Sequence, residues 1–354
     1  MFTGFGVSSR ARGRGPVLPM AIFCMLLSGI AALVYQVVWT RYLALFTGHT
    51  SYAIVAVLVA FMGGLALGNA WLGMTADKVR RPLAMYGWLE LGIGIYAIFF
   101  TPLYDICYGL YLTQAETTAP GSPMLLVWKF LISLVLLIIP TVLMGGTLPV
   151  LTKMLTRSLD ELKGQISNLY FINSVGAVVG VALAEFWFVP QWGLQFSIQA
   201  GAAMNLAAGA LALFVSGYIG EELGVRDNSD DDEADDDEHT TLAESEPEPQ
   251  MAETFTKGEI NMAVWAIAVS GAVAMLYEVA WTRLLGLAMG SSSNAFAMML
   301  ITFIMGIAVG AWLIGRIRIE RNSMNWFAWL EILVGVSIIL TMFTYERLPY
   351  WFAK

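Results

Sequence analysis

The sequence predicts an all-α polytopic membrane protein, and three observations support this fold class. Hydrophobic residues make up 58% of the 354 positions, and the mean hydropathy is +0.68. Nine stretches are about 20 apolar residues long, the length at which a helix crosses the hydrocarbon of a bilayer. A segment of the chain also occurs twice. A soluble domain has too little interior to bury this much apolar surface.

The nine stretches define nine predicted transmembrane helices. Because apolar runs do not mark helix ends sharply, only their approximate cores are given. They are Leu18–Trp39, Ala53–Met74, Leu83–Tyr104, Leu125–Leu143, Leu169–Phe188, Leu194–Ile219, Met262–Trp281, Phe296–Ile314 and Trp326–Phe343.

Basic residues predict the orientation of these spans. They precede the first span and fill the loops after the second, fourth and eighth spans, at Arg10–Arg14, Lys78–Arg81, Lys153–Lys163 and Arg316–Arg321. Loops rich in Lys and Arg stay on the cytoplasmic side of a membrane. We therefore predict a cytoplasmic N-terminus.

The repeated segment links the start of the chain to its last third. The stretch SGIAALVYQVVWTRYLALFTG begins at Ser28, and SGAVAMLYEVAWTRLLGLAMG begins at Ser270. Over the 46 positions from Ser28 to Gly73, 19 are identical 242 residues later, without a gap. Two copies of one helical unit are typical of secondary-transporter folds.

The spans and the charges together predict four regions. These are a basic cytoplasmic tail (1–17), a six-helix membrane unit (18–220), an acidic disordered cytoplasmic linker (221–258) and a partial second repeat of three helices (259–354). Residues 221–253 hold 15 acids and one base, too polar a composition to fold. An odd number of spans would put Lys354 outside the cytoplasm. We expect a fragment, a split subunit or a protein that has lost its tail.

Several long motifs resemble the membrane part of fused major-facilitator/spermidine-synthase-like bacterial proteins. They are SGIAALVYQVVWTR, FMGGLALGNAWLGMTADKVRRPLAMYGWLELGIG, PTVLMGGTLPVLTKML and GQISNLYFINSVGAVVGVALAEFWFVPQWGL, in that order. The resemblance implies a major-facilitator-like fold, a location in the bacterial inner membrane and a role in polyamine chemistry. Family members carry a cytosolic aminopropyltransferase-like domain, which nothing in this chain matches. One departure is Ala184-Glu185, where the family usually has small residues and a Gly.

The loop after the second span also resembles the major-facilitator signature, although its later Gly is missing. Its charged residues, together with two glutamates at equivalent repeat positions near the inner helix ends, form a candidate conformational latch. A short basic loop with one Asp can join helix ends by charge-assisted bonds, but simple anchoring on the cytoplasmic side is the alternative. The candidate residues are Asp77, Lys78, Arg80, Arg81, Glu90 and Glu331.

A second group of charges lies near the outer ends of the spans. The candidate substrate-binding residues are Glu278, Glu185, Arg41 and Arg283. Paired carboxylates beside aromatic rings suit a multivalent ammonium ligand. The alternative is that these residues form ion pairs with one another, such as Glu278 with Arg283 or Arg41. No acid is evident at the midplane, where coupling sites of transporters are expected.

Glycine pairs predict where helices pack closely. Gly64 and Gly68, Gly176 and Gly180, and Gly306 and Gly310 are each four residues apart. Small residues at this spacing let two membrane helices approach one another.

No catalytic or cofactor site is evident in the sequence. The only histidines, His49 and His239, are far apart, and Cys24 and Cys107 match no metal motif. We therefore expect no cofactor, no metal and no nucleic-acid partner. The leading hypothesis is a membrane module that anchors, or supplies a cationic polyamine-like metabolite to, a cytosolic enzyme domain or partner absent from this chain. The alternatives are a non-catalytic subunit of a larger complex, completed by another chain, and a major-facilitator-type transporter.

Overall fold

The structure is a computed structural model that describes residues 17–47, 51–76, 78–119, 121–155, 159–227, 256–289, 292–317 and 323–343. Within these ranges the regular structure is entirely helical, which confirms that the fold is all-α. Most of the acidic linker, most of the N-terminal tail and Asp77 lie outside the described residues.

Nine α-helices and one π-helical turn form the described part of the chain. They are α1 (Val17–Thr47), α2 (Ser51–Ala76), α3 (Pro82–Thr117), α4 (Pro123–Leu155), α5 (Leu159–Leu183), the π turn (Ala184–Phe188), α6 (Val189–Asp227), α7 (Lys257–Met289), α8 (Ser292–Arg316) and α9 (Ser323–Met342).

Eight helical runs in the described residues are long and apolar enough to cross a membrane. The sequence predicts nine, and the difference lies between α5 and α6. These helices and the π turn form one continuous run of 53 residues, Ile166–Tyr218. The backbone leaves helical geometry within this run at Gly193, where φ is 79° and ψ is 179°. Glycine adopts this positive φ without the clash that a side chain would cause.

The chain forms two compact units. The larger unit contains residues 1–217 and 278–317, and the smaller unit contains residues 218–277 and 318–354. Helix α7 therefore contributes its first part to the smaller unit and its last part, from Glu278, to the larger one.

Close helix pairs form the core of the larger unit. Helix α2 packs against α4, and α1 packs against α5. A Cβ atom at Gly68 would overlap the carbonyl group of Val142 on α4, and a Cβ at Gly180 would overlap that of Ile30 on α1. The close approach predicted for these two glycine pairs is confirmed. At Gly306 and Gly310 of α8, by contrast, an added Cβ would meet no described atom within 4 Å.

Candidate ligand-binding site in the larger unit

The interior of the larger unit contains a buried carboxyl group, that of Glu90. This residue lies eight positions after the first residue of α3, about 12 Å of helix rise, and its side chain is 0% exposed. The Asn205 side chain on α6 donates a hydrogen bond from Nδ2 to Glu90 Oε2. The Tyr35 hydroxyl on α1 donates to Asn205 Oδ1 over 2.8 Å. Three helices thus meet in one chain of hydrogen bonds, which we call the Glu90 network.

Two more side chains border the same carboxyl group. Ser28 of α1 and Tyr86 of α3 are its hydrogen-bonding neighbours. Glu90 Oε1 and the Tyr86 hydroxyl nevertheless lack a hydrogen bond of good geometry within the described residues. No Lys, Arg or His is among the recorded partners of Glu90. Among the described residues, this buried carboxyl group therefore has one oxygen, Oε1, without a hydrogen bond of good geometry, and no recorded cationic partner.

Close packing of α3 on α6 holds Asn205 against Glu90. A Cβ at Gly87 would lie 3.0 Å from the Gly209 carbonyl oxygen, and one at Gly94 would lie 3.1 Å from that of Ala202. Glycines one turn before and after Glu90 therefore let the two backbones approach. Asn205 lies between Ala202 and Gly209 in the sequence, so its short amide reaches the carboxylate.

A row of aromatic rings extends from the Glu90 network along α1 and α3. Tyr35 stacks on Trp39 with ring centroids 5.0 Å apart, and Trp39 stacks on Phe100 at 5.2 Å. Phe100 contacts Tyr104, which stacks on Tyr108. Tyr35, Trp39 and Phe100 are fully buried, while Tyr108 is exposed at the far end of the row. We call these five residues the aromatic row.

Two of the predicted substrate-binding residues form an ion pair. Arg41 Nη2 lies 2.7 Å from Glu185 Oε1, and the Glu185 side chain is buried. Glu185 belongs to the π turn between α5 and α6. An inserted residue of this kind changes which side chains face the bundle. Glu185 thus lies within a π turn, and its carboxylate lies beside Arg41.

The other two predicted residues do not join this pair. Glu278 is 2% exposed, and in the described part of the chain its carboxylate has neither an ion pair nor a hydrogen bond. Arg283 is exposed. The ion pairs of Glu278 with Arg41 or Arg283, which the sequence suggested as an alternative, are therefore absent among the described residues.

Within the described part of the larger unit, no ion pair or hydrogen bond joins one predicted latch residue to another, and Asp77 lies outside the described residues. Lys78, Arg80 and Arg81 are exposed. Glu90 binds Asn205 instead, and Glu331 of α9 accepts a hydrogen bond from Ser270 of α7 over 2.8 Å. A different basic residue, Lys153 at the end of α4, donates to the Ala76 carbonyl oxygen at the end of α2 over 2.6 Å. A cation at this position satisfies a free carbonyl group of the helix terminus.

Sequence reasoning missed Asn205 and Tyr35 as site residues. A signal was present for Asn205, since it is an amide within an apolar run, and such residues commonly form bonds between membrane helices. For Tyr35 the signal was its identity in both copies of the repeat, where Tyr277 is the equivalent residue. No group of three or more His, Cys, Asp or Glu residues that could hold a metal occurs in the described ranges.

The fold defines a class, a helical membrane protein with a buried polar network in its larger unit. Comparisons with protein-family models, with curated proteins and with solved structures found no match.

Proposed function

We propose that this chain is a membrane module that binds a cationic, amine-bearing metabolite beside Glu90, and that it anchors or supplies a cytosolic enzyme domain or partner. Glu90 carries the proposal because it is fully buried, has a free acceptor oxygen and has no cation among its recorded partners. An ionised carboxylate in a dry interior is costly unless a positive group compensates it. A ligand ammonium group would supply that charge.

The aromatic row supports an ammonium ligand over a metal ion. The rings begin at Tyr35, one hydrogen bond from Asn205, and end at the exposed Tyr108. Aromatic rings attract organic cations through their quadrupoles, and this attraction strengthens where water is absent. The surrounding amide and hydroxyl groups can accept hydrogen bonds from the remaining N–H groups of an amine.

The outer pair of Arg41 and Glu185 fits this role less well. Its carboxylate already has a cationic partner at 2.7 Å. A ligand would have to displace Arg41, which would then be left without its ion pair. Glu278 has no such partner among the described residues and remains a second candidate position.

The family and the topology form part of the same proposal. The long ordered motifs support a relationship to fused major-facilitator/spermidine-synthase-like proteins in a bacterial inner membrane. Nine crossings from a cytoplasmic N-terminus agree with the basic loops. A run of 53 residues is about 80 Å long as a straight helix, more than twice the bilayer hydrocarbon, and its break at Gly193 supports two crossings. A further polypeptide segment would complete the second repeat.

Binding of radiolabelled spermidine to the full chain in lipid nanodiscs tests the amine site. We expect saturable binding that Glu90→Gln weakens more than about tenfold, since one member of a buried charge pair is lost. Glu116→Gln is the matched control, because it removes an exposed carboxylate from the same helix. A neutral diol of similar length should not compete.

Three results would contradict the proposal. These are an absence of saturable binding, equal binding by the Glu90→Gln variant, and binding lost only in Glu185→Gln or Glu278→Gln. The third result would mean that the amine binds at Glu185 or Glu278 instead of Glu90. An absence of binding would favour the alternative of a non-catalytic structural subunit.

A further inference from the structure

Glu331 in the smaller unit occupies the repeat position equivalent to Glu90, and both carboxylates have a serine neighbour. Trp88-Leu89-Glu90 on α3 corresponds to Trp329-Leu330-Glu331 on α9. Ser28 borders the Glu90 carboxyl group, and its repeat equivalent, Ser270, donates a hydrogen bond to Glu331. The same serine–glutamate contact therefore joins the first and third helices of each copy.

The small residues that let α6 approach α3 are also repeated. Gly87 and Gly94 bracket Glu90, and Ala328 and Gly335 occupy the equivalent positions around Glu331. At an i, i+3, i+7 spacing, the three residues of each set share one helix face. A Cβ at Gly94 would crowd α6, whereas one at Gly335 would meet no described atom within 4 Å.

The partners of this face differ between the two copies. Glu90 receives a hydrogen bond from Asn205, which in turn accepts one from Tyr35. The equivalent of Tyr35 is Tyr277, whose side chain is half-buried and has no hydrogen bond recorded within the described ranges. Glu331 is also only half-buried, and the membrane-length part of α9 has no buried residue. Within the described residues, the second copy thus has the acceptor Glu331 and the hydroxyl of Tyr277, but no recorded amide that bonds to either of them.

We infer that the face formed by Ser270, Tyr277, Ala328, Glu331 and Gly335 binds a transmembrane helix that carries an Asn or Gln flanked by small residues. We call it the α9 docking face. The amide would donate to Glu331 and accept from Tyr277, as Asn205 does between Glu90 and Tyr35. A half-exposed carboxylate at membrane depth is costly, and an interhelical hydrogen bond reduces that cost. Ala328 is larger than Gly87, so the helix would lie slightly farther away at that end.

A second copy of this chain does not meet the requirement through its own α6. Asn205 already binds Glu90 and Tyr35, and its side chain is 1% exposed. The occupant is therefore a helix equivalent to α6 whose amide is free. The inference refines the proposed partner and does not depend on amine binding at Glu90.

A synthetic α6 peptide provides the test. The peptide copies residues 194–218 and carries an acceptor dye, and the full chain carries a donor dye on Met342→Cys, near the end of α9. The native cysteines, Cys24 and Cys107, are buried. Energy transfer in lipid vesicles then measures binding.

We expect saturable transfer with the native peptide. Asn205→Val in the peptide, or Glu331→Leu in the chain, should weaken binding about threefold to tenfold, the range for one interhelical hydrogen bond. Gly335→Leu should abolish binding because the side chain occupies the path of the incoming helix. Leu333→Ala is the control, since it changes an exposed position on a different face of α9.

Three results would overturn the inference. The first is the absence of saturable transfer, and the second is transfer that Gly335→Leu and Glu331→Leu leave unchanged. The third is transfer between donor- and acceptor-labelled full chains, without peptide, that Gly335→Leu abolishes, because a second copy would then occupy the face. Each of these results would leave the spermidine measurement intact, since that experiment probes Glu90.

Discussion

The two copies of the repeated segment share residues but differ in how those residues are surrounded. In the first copy, Gly64 and Gly68 of α2 are covered by α4, and Glu90 of α3 is covered by α6. In the second copy, Gly306 and Gly310 of α8 meet no such neighbour among the described residues. The comparison teaches that the duplicated sequence encodes packing surfaces as well as helices. Around Gly306, Gly310 and Gly335 of the second copy, the described residues include no such neighbour.

The glycines of α2 and α8 provide the largest expected difference. Gly68→Leu should lower the free energy of unfolding by about 3 kcal/mol or more, because the new side chain would overlap the α4 backbone. The repeat equivalent, Gly310→Leu, should change it by less than about 0.5 kcal/mol, as at an uncrowded surface position. Unfolding of each variant in mixed micelles, followed by circular dichroism, measures the difference. Equal losses would mean that the α8 glycines are also covered.

The arginines at equivalent repeat positions, Arg41 and Arg283, should differ less in their effect on the free energy of unfolding. Arg41→Gln leaves the buried Glu185 carboxylate without its ion pair and should cost about 2 kcal/mol, the scale for a hydrogen bond to a charged group. Arg283→Gln, at the equivalent position, changes an exposed side chain and should have almost no effect. The same unfolding measurement applies. A loss of unfolding free energy in Arg283→Gln as large as that in Arg41→Gln would show that Arg283 also has an interaction partner.

Changes at the two equivalent serines, Ser28 and Ser270, should have the smallest effects on the free energy of unfolding and the most similar ones. Ser270→Ala removes the hydrogen bond to Glu331 and should cost about 0.6 kcal/mol, the mean for a polar contact between membrane helices. Ser28→Ala should cost a similar amount or more, because Glu90 is fully buried. Combining each serine change with the matching glutamate-to-glutamine change gives the coupling energy of each pair. A coupling of zero in the second copy would break the equivalence of the two contacts.

The sequence predicted the existence of the helices well, because the length of an apolar run is a local property of the chain. Gly68 and Gly180 were identified as close-packing positions from spacing alone, and both are confirmed. The same rule failed to distinguish them from Gly306 and Gly310, since spacing does not reveal whether a neighbouring helix is present. Helix ends were predicted less well. Helix α3 begins at Pro82, one residue before the predicted core, but it ends at Thr117, well beyond the predicted end at Tyr104.

The polar contacts were harder to predict. Glu90 was expected near the basic loop, yet it binds Asn205, 115 positions later in the chain. The pairing of α3 with α6 depends on how their small residues pack, and the repeated segment alone does not reveal it. Glu185 illustrates the same difficulty, because a π turn alters the face on which its side chain lies. Glu185 lies in this turn and pairs with Arg41, and helical periodicity does not reveal the pair.

The positive φ of Gly193 limits what can replace this residue. An added Cβ would meet no described atom within 4 Å, so the surroundings have room for a side chain. A residue with a side chain would nevertheless be strained in this left-handed backbone conformation. Backbone conformation, and not space, is therefore what keeps glycine at this position.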